Sequence, residues 1–210
     1  YETNDLQAAH SHYQRAINTL SPLAIADLKN LPLQFELSNA LTQLGDIKGH
    51  PYFANLGDTQ GALECHRRAL QLREFLMASE PQNDDYKRAL SRSHYAMGYM
   101  LRSTDDPKGA IQELQKALEI ARPLAAANPT NPRVKRYVTL PLQQLAGVLA
   151  EQGDLPGAIN CYEEGLQIAS SLAGADASNA QAQRDLLWSY YCFGNLHQQL
   201  RAFAKAAGVG

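Results

Sequence analysis

The chain has 210 residues, 45% of them hydrophobic, and a formal net charge of −2 from 19 Lys and Arg against 21 Asp and Glu. That much apolar material supports a packed fold rather than disorder, and balanced charge without a long like-charged run gives no electrostatic basis for binding nucleic acid or an anionic membrane. No apolar stretch approaches the roughly 20 residues of a membrane span, and three Cys are too few for a disulfide framework, which fits a cytoplasmic protein. With only 5 Phe and 1 Trp among many Ala, Leu and Gln, the composition favours helices.

Eight helices are predicted, and they follow a repeat. Gly61, Gly109 and Gly157 recur every 48 residues, each followed by Ala, and Asp58, Asp106 and Asp154 keep the same spacing. A first copy lies 53 residues upstream, matching Ala9 to Ala62 and Asn30 to Asn83. The first helix, 5–26, is thus the second member of a pair. The second, 33–46, precedes a loop over 47–57 that holds the five additional residues and an aromatic patch, His50-Pro51-Tyr52-Phe53. The third, 58–79, opens on Asp58, whose carboxylate can cap the free N–H groups of the first turn. The fourth spans 85–103. The fifth, 106–127, has Pro107 just after its capping Asp106. The sixth, 134–152, contains Pro141, which should kink it or mark its true start. The seventh, 154–174, places Ala158, Ile159, Tyr162 and Leu166 three or four residues apart along one face. The eighth covers 181–203, and Phe203-Ala204-Lys205-Ala206-Ala207 begins a ninth in repeat register. The units are 1–30 (a second helix only), 31–83, 84–131, 132–179 and 180–210. The chain reads as one repeat domain excised from a longer protein, and ends of such a stack without a polar cap predict fraying or end-to-end association.

A small residue, a bulky one four later and a small one three after that recur as Ala9-Tyr13-Ala16, Ala62-His66-Ala69, Ala110-Leu114-Ala117 and Ala158-Tyr162-Gly165. This pattern resembles the tetratricopeptide repeat. The resemblance implies an all-α solenoid of antiparallel helix pairs in a right-handed superhelix, in which small residues let paired helices approach. The units exceed the family's usual 34 residues by 14, or two helical turns shared to each helix, roughly 10 Å. Residues 172–187, running from Leu172-Ala173 to Arg184-Asp185-Leu186-Leu187, resemble arrays C-terminal to bacterial serine/threonine protein kinases.

No catalytic, metal-binding or cofactor pattern rises above background, so the fragment is read as a non-enzyme with no cofactor. Cys65 and Cys161 hold the same repeat position two units apart, too far to pair, and Cys192 reads as a small core residue. His10 and His12 point to different helix faces, and His66 fills the bulky groove position. In the resembling family the first helix of each pair lines the concave side. There Arg92, Tyr95, Tyr99 and Arg102 step 3, 4, 3, opposite His94, Met97 and Leu101, and Trp188, Tyr191, Asn195 and Gln198 form the equivalent stripe of the last unit. Arg and large aromatics concentrate interface energy, so these eight residues are expected to bind a protein or peptide partner. Leu140, Gln143, Gly147 and Ala150 form a neutral floor, and Asn39 and Thr42 a weakly polar start. Of the Lys and Asn with which some family members clamp a peptide carboxylate, only Asn195 is present. The leading expectation is a scaffold within a larger bacterial signalling protein; the alternatives are a self-associating or regulatory kinase domain and a small-ligand sensor.

Overall fold

A computed structural model describes residues 2–50, 54–129 and 131–206. Among these every regular element is helical: α1 (Glu2–Ala26), α2 (Leu31–Gly49), α3 (Thr59–Ser79), α4 (Asp84–Ser103), α5 (Pro107–Ala127), α6 (Pro132–Glu151), α7 (Leu155–Ala175) and α8 (Ala180–Ala206). All eight predicted helices are present.

The starts are fixed by capping in repeat register. Asp58 accepts from the Gly61 N–H at 2.8 Å and Asp154 from the Gly157 N–H at 3.0 Å. Asn30, Asn83, Asn131 and Asn179 accept from the first turns of α2, α4, α6 and α8. Before α3, α5 and α7 the chain turns through a residue with positive φ, Gly57 (78°), Asp105 (60°) and Gly153 (83°).

Three sequence expectations are corrected. α2 continues through Gly49, the His50 N–H still closing a helical bond on the Asp46 carbonyl at 3.0 Å, and the Ala62 side chain and the Asp58 carbonyl leave no room for a Cβ at that glycine. The loop therefore starts at His50, and Pro51, Tyr52 and Phe53 lie outside the described residues. No ninth helix begins at Phe203, since α8 runs unbroken to Ala206; Ala207 lies outside the described residues. Pro141 sits inside α6 and does not mark its start. Pro22 and Pro123, unremarked in the sequence reading, also lie inside helices, at the same repeat position of α1 and α5.

The chain divides into two compact units, residues 1–106 and 107–210. In the first, α1 packs on α2, α2 on α3 and α3 on α4; in the second, α5 packs on α6, α6 on α7 and α7 on α8, with α6 also touching α8. Connections this short make successive helices antiparallel. The small-bulky-small positions are the contact stripe: Ala110, Leu114, Ala117 and Ala158 are fully buried, and Tyr162 nearly so. In α1 the same positions, Ala9, Tyr13 and Ala16, are only half-buried.

Candidate functional site

In the first unit, α2 and α4 carry the stripes expected to meet a partner, and α3 lies between them with a buried cation. Arg73 is 2% exposed. Its Nε donates to Ser38 Oγ (3.2 Å), one terminal nitrogen to Ser93 Oγ (2.8 Å) and the Ala89 carbonyl (3.2 Å), and the other to Asn39 Oδ1 (3.0 Å). One guanidinium fork thus ties α2 to α4 and satisfies the burial of its own donors. Burial and the nearby Arg92 lower its pKa to about 10, with Asp46 opposing, so it stays charged at neutral pH.

Asp46, at the C-terminal end of α2, is pushed up to about 6 by burial, against the pull of Arg92 and Arg73. His66 of α3 is pushed down to about 4, chiefly by burial and then by His50 and Arg73. Its Nε2 lies 3.4 Å from Asp46 Oδ1. At neutral pH this is a neutral imidazole beside a carboxylate rather than an ion pair. The ring fits only because position 45 is glycine: a Cβ there would stand 2.9 Å from His66 Nε2. Burial also lowers the pKa of His50.

The eight predicted partner residues fall into two groups, one per unit. On α4, Arg92 is exposed, Tyr95 and Arg102 are half-buried and Tyr99 is buried. The Tyr99 ring stacks on His50 at 5.5 Å and lies 6.2 Å from that of Tyr95. On α8, Trp188 and Tyr191 are both exposed and stacked, with centroids 5.5 Å apart at 27°, and Asn195 and Gln198 are exposed further along the stripe. In the floor between α6 and α8, Gln143 is buried and donates to Ser189 Oγ at 2.8 Å, while Arg136 of α6 grips Asp185 of α8 at 2.6 Å. Opposite the α4 stripe, His94 and Met97 are buried and Leu101 half-buried. All three Cys are free. Cys161 and Cys192 line a core cluster with Ala146, Ala158, Tyr162 and Leu196. No group of three or more His, Cys, Asp or Glu among the described residues is placed to hold a metal ion, and no described helix is long and apolar enough to cross a membrane.

Sequence reasoning missed Arg73 and Asp46. Both were accessible through the repeat: Arg73 aligns with Ala121 and Ala169 on the buried stripe, and Asp46 with Tyr99 and Asn195 on the partner stripe.

Models of the tetratricopeptide repeat match residues 91–123 and 142–176, each spanning a helix, its turn and the next helix. The chain carries tetratricopeptide repeats. A solved structure titled "MamA MSR-1 C2" is similar over 100% of this chain and 94% of its own, with 18% identity and a TM-score of 0.50. That likeness is one of fold, an all-α solenoid of paired helices. Another MamA crystal structure aligns over 92% of this chain and 91% of that chain (16% identity, TM-score 0.41), and a de novo designed helical repeat protein, DHR64, over 95% and 99% (10% identity, TM-score 0.41). No curated protein sequence matches the chain. Tetratricopeptide repeats are generally non-catalytic and bind proteins or peptides, and on that ground the chain is a protein-interaction scaffold.

Proposed function

We propose that this tetratricopeptide array is a non-catalytic module of a larger, cytoplasmic bacterial signalling protein and binds a peptide or protein segment through the exposed stripe of α8, with the stripe of α4 as a separate contact surface in the other unit. The observation that carries the reading is the exposed, stacked Trp188–Tyr191 pair with Asn195 and Gln198 one and two turns beyond. Two large rings left in water on a helix face are costly unless a partner covers them, and flanking amides supply donors and acceptors to a peptide backbone. On α4, exposed Arg92 adds a cation beside Tyr95. Tyr99 serves this surface from below, as the buried ring under His50. The link to a kinase rests on the resemblance of residues 172–187.

Trp188 is the single tryptophan of the chain, so its emission reports on this stripe alone. Peptides selected on the immobilised chain from a displayed random library are titrated against it. Binding should shift the Trp188 emission, and Tyr191→Ala with Asn195→Ala should weaken binding about tenfold or more with helicity unchanged. Peptides that bind without moving the emission and tolerate both substitutions would overturn the α8 reading. Arg92→Glu tests the α4 stripe in the same way.

A further inference from the structure

Inside the first unit, the stripes of α2 and α4 bring one acid against two bases. Asp46 stands on α2 at the repeat position that Tyr99 occupies on α4. Its side chain is half-buried, with Oδ1 3.4 Å from His66 Nε2 of α3. Two guanidiniums act on that carboxyl, Arg92 of α4 and then Arg73 of α3, and the two arginines also act on each other. On the side of α1, His10 acts on Asp58, which Lys48 of α2 holds at 3.0 Å. His50, one turn beyond Asp46, stacks on Tyr99 and joins the end of α2 to the α4 stripe.

Burial holds the pKa of both His66 and His50 below the ordinary imidazole value, so at neutral pH the two rings carry no charge. The cluster is then one carboxylate against two guanidiniums, an excess of one positive charge. Arg73 cannot offer that excess to a partner, because it is buried and its fork already donates to Ser38, Asn39, Ser93 and the Ala89 carbonyl. Arg92 is the opposite case. It is exposed, and among the described residues it makes no hydrogen bond or ion pair. Its fork of donors matches a carboxylate, and the half-buried ring of Tyr95 lies one turn along the same face.

We propose that the α4 stripe receives an acidic segment of a partner on Arg92, and that Asp46 gates this contact, holding the field of that arginine when ionised and releasing it when protonated. This rests on the α4 stripe being a contact surface, and adds the charge of what docks there and its regulation. The incoming carboxylate and Asp46 compete for one cation, so docking of the first favours protonation of the second. One proton passes from solvent to an Asp46 carboxylate oxygen, and no covalent bond of the partner changes. By linkage, acidification must tighten binding to the same degree that binding promotes proton uptake. Burial already raises the Asp46 carboxyl to about 6, which sets the gate just below neutrality.

The probe is a hexa-aspartate peptide, acetylated and amidated so that its side chains carry its only charges, titrated calorimetrically into the 210-residue chain from about pH 7.5 down to about pH 5. Affinity should rise about fivefold or more over that range. Near its middle, two buffers of different ionisation heat should show net proton uptake. Asp46→Asn, with helicity kept, should bind at the upper end about as tightly as the unsubstituted chain binds at the lower end, and its proton uptake should vanish; Asp46→Ser repeats this arm independently. Arg92→Gln should weaken binding about fivefold or more throughout. Affinity that does not change with pH, uptake that persists in Asp46→Asn, or binding that tolerates Arg92→Gln would each overturn the proposal. If uncharged library peptides bind and are sensitive to Arg92→Glu while hexa-aspartate does not bind, the α4 contact surface stands and the acidic partner falls. If no peptide is sensitive to Arg92→Glu, the surface itself falls and the gate with it.

Discussion

The two units place different chemistry at one repeat position. On α3 of the first unit it is Arg73, whose fork reaches α2 on one side and α4 on the other. On α7 of the second it is Ala169, a buried methyl, and there α6 and α8 meet directly through Arg136–Asp185 and Gln143–Ser189. Both arrangements hold successive first helices together. The first puts a charge in the interior, where its acceptors are indispensable; the second puts its charges at a half-exposed edge, where water shares the work. A repeat can therefore keep its backbone register while exchanging a buried guanidinium held by neutral acceptors for a peripheral ion pair.

The sharpest way to break this comparison is to remove the two ties. Arg73→Ala should cost about 3–5 kcal/mol, since it opens a cavity and leaves Ser93 Oγ, Asn39 Oδ1 and the Ala89 carbonyl without their donor. Arg73→Lys should cost roughly 1–3 kcal/mol, because an ammonium cannot reach both helices as the fork does. Arg136→Ala should cost no more than about 1 kcal/mol. Urea denaturation of the three variants measures the series, and equal losses for Arg73→Ala and Arg136→Ala would erase the distinction between units.

The helices and their order were legible because the 48-residue recurrence supplies three or four independent readings of each boundary. Where one copy departs from the others the reading failed. α2 runs three residues beyond its expected end at 46, with the loop insertion following it, and Arg73 hides among alanines that define the stripe as small and apolar. Along the two expected partner stripes, exposure was not legible. Tyr99 and Tyr191 are both tyrosines on equivalent helices, and only the packing decides that His50 covers the first while the second faces water.

The units also differ in titration. Tyr162 stands in α7 where His66 stands in α3, and Asn195 in α8 where Asp46 stands in α2, so this acid and this base belong to the first unit. The folded-state pKa of Asp46, raised from 3.8 to about 6, contributes stability at low pH that is lost as the pH rises through about 6. That of His66, lowered from 6.5 to about 4, contributes stability above 6.5 that is lost as the pH falls toward 4. Between about 4 and 6 the two slopes oppose each other, each at most about 1.4 kcal/mol per pH unit. Relative to the unsubstituted chain, Asp46→Asn should gain stability as the pH rises over that window, and His66→Leu should lose it. Urea midpoints at either end of the window give both slopes, and slopes of the same sign would show that the two groups do not oppose one another.

The smallest expected effect lies in the turns that precede α5 and α7. Asp105 and Gly153 hold the same repeat position with φ of 60° and 83°, a left-handed conformation that costs a side-chain-bearing residue about 1 kcal/mol and glycine almost nothing. Glycine also enlarges the conformational freedom lost on folding, by about 0.4–1 kcal/mol. Asp105→Gly should therefore gain only a few tenths of a kcal/mol, and Gly153→Asp should lose a similar amount. In a chain of this size that corresponds to about 1 °C in Tm, upward for the first and downward for the second. If Asp105→Gly instead lowers Tm, the aspartate side chain contributes contacts at this turn that outweigh its backbone strain, and the turns before α5 and α7 differ in more than their residue.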